Sequence, residues 1–497
     1  MMEEFRRKYF TDVTFISVLT VIARMRGLIL LPVISRLIGL EGYGIWLQVS
    51  LTVGLMGNVF EVGLHSALVR FIPSLKKREE IADMYYSVLL FALSLGIVAA
   101  LVIYAFADVI AKLSLQLADV GYLFRIACVL VPINLVILMQ QNYFRARMRV
   151  KLYSTLDVLA NTGDVIGILI VLASGSGLRE MFLAVILWRL ILSLLQAFMI
   201  WRDTGIGLPK FRNFKELLAF SLPLVPSTIA GNTIRRFDRY LIGYFLGAAA
   251  VGLYGAASAI AELIDNLTIP LRKAITPYIA NLWDRELFRE VRLYLGYSMK
   301  AFLFFAIPAA VLLAVFSRKF IGILATEEFL FADMELVVLS LAFAAVFFSS
   351  NRIMNLVFII QKRTVAVPIM QIVEASLNLA LNLILIPLVG LIGAAVSKLV
   401  SYLLAFLIRR IYIVRKTEVD PTKIYDLFAV KCLMASAVIG GISLWLNVET
   451  TWHLLGFILI DALIYIFLLW IFRSFQSKEI RFVKDIFSRK SRLKYAG

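Results

Sequence analysis

The chain has 497 residues, of which 61% are hydrophobic, and a mean hydropathy of +0.88. Charged residues make up 17%, against about 25% in an average soluble domain. A soluble chain of this length could not solvate that surface, so the composition defines a polytopic membrane protein. The formal charge of +18 would raise nucleic-acid binding in a soluble chain. Here the basic residues follow membrane topology, as set out below, and no nucleic-acid partner is expected. Cys128 and Cys432 both lie in apolar runs, and His65 and His453 are far apart. Neither a disulfide framework nor a metal site is expected from them.

In chain order, Met1–Phe10 is short and mixed in charge. The apolar run behind it, about 13–38, is too long for a signal-peptide core and lacks an A-x-A site, so it is expected to remain as the first spanning helix. Arg24 and Arg26 sit near its middle, where a charge costs about 2.5–3.5 kcal/mol on insertion scales and normally faces a bundle interior or a watery cavity. A cationic cavity points to an anionic cargo. The two arginines lie about 200° apart on a helix and cannot share a face. The alternative is pairing with a carboxylate on a neighbouring helix.

Further runs of roughly 20 residues fall near 43–63, 83–107, 118–140, 155–174, 180–201, 216–236, 241–265, 296–316, 335–359, 366–387, 389–411, 426–447 and 452–473. Arg125 and Arg189, in the fourth and sixth spans, are further substrate candidates. In the fifth, Asp157, Asn161 and Asp164 recur at i, i+4 and i+7 and form one polar stripe. That stripe reads either as a coupling-ion site or as the partner of Arg24 or Arg125. Asp157 also fits a position at the membrane interface.

The seventh run carries Pro223 and Pro226, then Asn232, Arg235, Arg236, Asp238 and Arg239. Two prolines free backbone carbonyls and break a spanning helix, as happens at transport sites. Arg235 and Arg236 are therefore substrate candidates, with a local ion-pair cluster around Asp238 as the alternative. In the eleventh run Gln371, Glu374, Asn378 and Asn382 share a face; the asparagines suit interhelical hydrogen bonding and Glu374 suits a coupling ion. Pro387, Gly390 and Gly393 mark a tight turn into the twelfth run. Lys398 adds a cationic candidate there. Lys300, in the ninth run, is near an end and can snorkel. The longest non-apolar loop, about Asn266–Gly296, reads as mostly basic and amphipathic.

Lys and Arg alternate between loops. Arg6, Arg7 and Lys8 precede the first run; Arg70, Lys76, Lys77 and Arg78 follow the second; Arg145, Arg147, Arg149 and Lys151 follow the fourth. Later even-numbered loops and the tail continue the pattern, while odd-numbered loops are nearly bare. The positive-inside rule then places both termini in the cytoplasm and requires an even number of spans, about fourteen. The basic excess also attracts anionic headgroups.

Residues 36–46 read R-L-I-G-L-E-G-Y-G-I-W and residues 244–254 read Y-F-L-G-A-A-A-V-G-L-Y. Gly39 aligns with Gly247, Gly44 with Gly252 and Trp46 with Tyr254, at an offset of about 205 residues, or six spans. An even offset means parallel repeats, with a substrate site expected where the two bundles meet. The expected domains are therefore a first six-helix bundle at 1–205, a second at 206–416, and 417–497 with helices thirteen and fourteen and a basic tail. The expected fold is an all-α polytopic membrane protein of about 14 transmembrane helices: two parallel six-helix bundles around a central cavity, plus an extra C-terminal helix pair. No phosphate-binding loop G-x4-G-K-[ST], no G-x-S-x-G and no H-E-x-x-H occurs. No catalytic residue is expected.

S-L-P-L-V-P-S (221–227), R-R-F-D-R-Y-L-I-G-Y-F-L-G (235–247), V-G-L-Y (251–254) and N-L-A-L-N-L-I-L-I-P-L-V-G-L-I-G-A-A (378–395) resemble the polysaccharide and O-antigen flippases. So do the first-half stretch 36–46 and R-F-I-P-S-L (70–75). These flippases belong to the superfamily that also holds the multidrug extruders and the lipid II flippases. The resemblance implies alternating access and a polyprenyl diphosphate-linked oligosaccharide as cargo. In lipid II flippases, cavity arginines on the first helix bind the diphosphate. Arg24 most resembles one of those positions, whereas Leu30 stands where another would be, a departure that fits a different headgroup. The resemblance further implies a multi-pass protein of the inner cell membrane, with membrane lipids and polysaccharide assembly machinery as partners. It implies no cofactor, with a proton or sodium gradient taken up at Asp157, Asp164 or Glu374. The competing readings are a cation-coupled multidrug exporter, which wants an acid-dominated cavity, and a membrane-embedded enzyme, which wants clustered acids in loops.

Overall fold

The computed structural model describes residues 26–212, 214–225, 236–363, 365–417, 419–445 and 450–474. Among the described residues the chain is all-helical, without strands. Inside a bilayer every backbone N–H and C=O needs an internal partner, and a helix provides it within one segment. Eleven described helices or helix pairs are long and apolar enough to cross a membrane.

The N-terminal part runs α1 (Arg26–Phe60), α2 (Leu64–Phe71), α3 (Arg78–Ala105), α4 (Ala107–Leu115), α5 (Gly121–Ala127), α6 (Leu130–Ala146), α7 (Val150–Ala173) and α8 (Leu178–Thr204). There follow α9 (Phe214–Ser221), α10 (Asp238–Asp284), α11 (Phe288–Val315), α12 (Ser317–Leu324), α13 (Met334–Ile360), α14 (Ala366–Lys416), α15 (Thr422–Ser443) and α16 (Thr451–Ile471). After α9 the chain tightens into a 3-10 turn at Leu222–Leu224, since Pro223 lacks the N–H an α-helix would use there. Residues 226–235, with Pro226 and Arg235, lie outside the described residues.

Among the described residues three helices are broken inside. α1 leaves helical geometry at Gly39 and α10 at Gly247, both with φ 82° and ψ −178°. These are the aligned glycines of the repeat, and a positive φ is where a side-chain Cβ is disfavoured. The shared motif therefore encodes a shared backbone break. α14, 51 residues long, breaks at Val389 and Gly390, between two of the expected runs. α1 likewise joins the described part of the first expected run, from residue 26, to the second. The run near 216–236 is only partly described. α10 differs from expectation: it continues helically through 266–284, where the sequence reads as loop. Ile275, Ile279 and Leu282 are buried at helical spacing, so packing of an amphipathic face sustains the helix.

The chain divides into two compact units: Met1–Ala259 with Ile321–Ala332 and Pro368–Ser397, and Ile260–Phe320 with Asp333–Val367 and Lys398–Gly497. In the first unit, the second repeat glycines bring α1 and α10 into contact. A Cβ on Gly44 would strike the Ala248 carbonyl, and one on Gly252 the Leu40 carbonyl. Such backbone-to-backbone approach is what small residues permit in membrane helices. Tyr85 of α3 and Tyr143 of α6 pack edge-on, 5.1 Å between centroids, in the core of that unit. Outward residues such as Leu101, Leu187 and Leu194 stay exposed, as an acyl-chain environment allows.

Candidate functional site

Three spanning helices of the first unit converge on Asp164. The α7 stripe of Asp157, Asn161 and Asp164 places Asp164 inward, where its side chain is wholly buried. Arg26 of α1 reaches it through Nη1 at 2.8 Å. Arg189 of α8 donates to it from Nη2 at 2.7 Å and from Nε at 3.2 Å. Arg189 also donates from Nη1 to Asn134 Oδ1 of α6 at 2.9 Å. The forked guanidinium suits this two-point grip on a carboxylate. Two guanidiniums on one carboxylate leave a net positive charge. Asp164 has no exposed surface, while the Arg26 and Arg189 side chains keep 26% and 17%. The exposed part of the cluster is therefore its cationic part. Asp157 sits two turns away, half-buried, and its carbonyl accepts from Asn161.

Among the described residues the stripe thus pairs with Arg26 and Arg189, and not with Arg125. Arg24 lies outside the described residues. Arg125 pairs with Asp108 instead, at an exposed position. The second unit holds a matching pair with the charges reversed, Arg318 with Glu335, at the same spacing of 17 residues. Each pair ties the start of a short helix following a span (α4, α12) to the start of the next span. Helical periodicity gives the face a residue lies on, but not which neighbouring helix meets it.

Of the seventh-run group, Arg235 lies outside the described residues and Arg236 is exposed. Asp238 is buried and accepts from the Tyr254 hydroxyl at 2.7 Å and from the Arg239 N–H at 2.9 Å. Glu374, Asn378 and Asn382 are all buried in the first unit, as one face of α14. Asn382 donates to Asn378 at 2.9 Å, leaving the Asn378 Nδ2 and the Asn382 Oδ1 without a hydrogen bond. Lys398 is half-buried in the second unit.

The structure adds charged groups that sequence reasoning passed over. In the second unit Arg352 of α13 donates to both oxygens of Asp265 of α10 at 3.1 Å, and Ser349 donates to Asp265 at 2.9 Å. Arg409 of α14 is completely enclosed and donates to Asn355 Oδ1 at 3.1 Å. The signal was present, since Arg352 interrupts the run near 335–359 as Arg26 does the first. Near the end of α1, buried Glu61 contacts His65 of α2, whose other nitrogen meets Ser66 Oγ at 3.0 Å. Burial, and secondarily the Arg145 guanidinium, pull the His65 imidazole below its ordinary value. Among the described residues no group of three or more His, Cys, Asp or Glu could hold a metal.

Broken helices of spanning length, a pseudo-repeat and charges paired between them define an all-helical membrane fold. The comparisons with known proteins place it further. The profile of the family described as polysaccharide biosynthesis protein matches residues 10–283, and that of the MatE family matches 223–384. The chain belongs to the polysaccharide biosynthesis protein family. It is 26% identical over 207 residues to a protein of Haloferax volcanii described as a probable low-salt glycan biosynthesis flippase, Agl15. The match covers 40% of this chain and 42% of that one, so the chain spans less than half the length of this curated relative. A membrane protein of Methanocaldococcus jannaschii, MJ1068, is 29% identical over 216 residues, or 40% of this chain and 41% of that protein. In fold, the chain matches the inward closed conformation of the lipid II flippase MurJ with a TM-score of 0.77 and 18% identity, covering 92% of this chain and 98% of that one. It matches an inward-facing multidrug resistance transporter with a TM-score of 0.65 and 17% identity, covering 80% and 94%.

Proposed function

We propose that this protein is a flippase that moves a polyprenyl diphosphate-linked oligosaccharide across the cell membrane by alternating access, for surface polysaccharide synthesis. The observation that carries this reading is the Arg26–Asp164–Arg189 cluster, a net-positive group inside spanning helices with its arginines partly accessible. A diphosphate is an anion of matching geometry for guanidinium forks. In this reading Arg24 and the Arg235/Arg236 group are further contacts for the anionic headgroup. The polyprenyl tail stays in the bilayer while the headgroup crosses. The fold likeness extends to both a lipid flippase and a drug extruder, so the sign of the intramembrane charge separates the two, and it favours an anionic cargo. The family membership and the Haloferax relative point the same way. Energy comes from a proton or sodium ion bound at Asp157, Asp164 or Glu374.

The test is flipping of a fluorescent polyprenyl diphosphate oligosaccharide in proteoliposomes, for the native chain, Arg24→Ala and Arg189→Gln. Flipping by the native chain, reduced at least about tenfold in either variant at normal insertion, is the expected result; loss of one charge-assisted contact of about 1.5–3 kcal/mol gives that factor. No flipping by the native chain across several headgroups would move the assignment to the exporter. Rates indifferent to both proton and sodium gradients would remove the coupling.

A further inference from the structure

At one membrane face of the second unit, the first turns of α11 and α15 and the end of α14 enclose a cavity of about 400 Å³. Its lining includes Arg289 and Arg292 from α11, Lys423 from α15 and Asp420 from the connection between α14 and α15, with Leu293 and Ile424 as its apolar walls. Below it the two helices close together: a Cβ on Gly296 would collide with Ile424. Asp420 is committed to the start of α15, accepting from the Thr422 N–H at 2.9 Å and the Thr422 hydroxyl at 2.7 Å. Among the described lining residues three cations stand beside one carboxylate, which is engaged by Thr422. Its opening lies on the face that the positive-inside rule assigns to the cytoplasm.

A soluble anion would need only the charges, but an exposed apolar track follows Lys423 on its own face of α15. On α15, Lys423 is followed at steps of four, three and four residues by Leu427, Val430 and Met434, so all four share one helix face. The three apolar side chains are 67%, 52% and 54% exposed. They run from the cationic rim along a spanning helix towards the middle of the bilayer. Charge at the rim and a bare apolar stripe beneath it fit a molecule with a phosphate head and a long acyl tail.

We propose that this cavity is a binding site for an anionic phospholipid, its phosphate held by Arg289, Arg292 and Lys423 and one acyl chain lying on Leu427, Val430 and Met434. The site is separate from the Arg26–Asp164–Arg189 cluster in residues and in unit, and it stands whether or not the flippase reading does. Because the lipid contacts both α11 and α15, it holds the start of the C-terminal helix pair against α11 and makes the protein's stability depend on membrane composition.

The experiment is native mass spectrometry of the purified full chain titrated with phosphatidylglycerol, with phosphatidylcholine of the same chains, and with inorganic phosphate. The variants are R289Q/R292Q/K423Q, R289Q/K423Q, which keeps Arg292 and its own contacts, and a control, K76Q/K77Q, on another basic loop. Each interfacial cation contributes about fivefold to anionic-lipid affinity. Phosphatidylglycerol is therefore expected to bind at least about tenfold tighter than phosphatidylcholine and to lose at least about tenfold in both pocket variants, with the control unchanged. Equal loss in the control would mean diffuse surface attraction and overturn the site. Equal binding of phosphatidylcholine, or complete displacement by inorganic phosphate, would overturn the lipid assignment. Displacement by a polyprenyl diphosphate at lower concentration would reassign the cavity to the transported cargo.

Discussion

Asp164 is the residue on which most of the local chemistry turns. It is a buried carboxylate that neutralises one of two arginines, and its removal leaves both guanidiniums without a counter-charge. Breaking a buried pair in this way costs about 3–5 kcal/mol, more than the pair itself contributes relative to an apolar replacement. Asp164→Asn is therefore expected to lower the thermal unfolding midpoint in detergent by several degrees. The double variant D164N/R189Q should recover part of that loss by removing one orphaned charge. An unchanged midpoint in D164N would show that the carboxylate is not the counter-charge of the cluster. The sequence identified Asp157, Asn161 and Asp164 as one face because helical periodicity is local. It could not name Arg26 and Arg189 as partners, because that choice depends on how α1, α7 and α8 pack.

At the level of elements, the repeat glycines do two different jobs. Gly39 and Gly247 hold a positive φ that breaks a long helix, whereas Gly44 and Gly252 remove the side chains that would keep α1 and α10 apart. Gly54 and Gly57 lie on the same helix with nothing near their missing Cβ atoms. Substituting alanine at Gly54 or Gly57 should stabilise α1 by up to about 1 kcal/mol through helix propensity. Gly44→Ala should instead destabilise by about 1–3 kcal/mol, as over-packing does, since the obstacle is a backbone carbonyl rather than a movable side chain. Thermal unfolding of the three variants side by side checks the contrast, and a neutral Gly44→Ala would deny the close crossing. The reversed ion pairs Asp108–Arg125 and Glu335–Arg318 belong to this scale too. They keep a geometry across the repeat while exchanging the residues that make it, which is why a residue-by-residue alignment of the halves could not find them.

For the whole molecule, the distribution of Lys and Arg sets orientation. Lys77 and Ser174 are separated by three described spanning segments, α3, α5 with α6, and α7. They should therefore face opposite sides. In a background lacking Cys128 and Cys432, a membrane-impermeant maleimide should label Ser174→Cys in intact cells and Lys77→Cys only after permeabilisation. The reverse pattern would overturn the positive-inside orientation and, with it, the cytoplasmic position of the cationic cavity on α11 and α15.

The sequence alone determined that this is a helical membrane protein, that its basic loops alternate, and that a glycine motif recurs in two places. Each of these follows from a property that is additive or local along the chain: transfer of side chains into lipid, charge next to a span, and backbone freedom at glycine. Only the tertiary structure decided that Asp164 holds Arg26 and Arg189 while Arg125 goes to Asp108, that Asp265 and Asn355 receive Arg352 and Arg409, and that residues 266–284 continue a helix. Those outcomes depend on which faces meet. In a bilayer, helices associate through close packing and interhelical hydrogen bonds rather than through hydrophobicity, so the apolar pattern that locates a span says little about its neighbours.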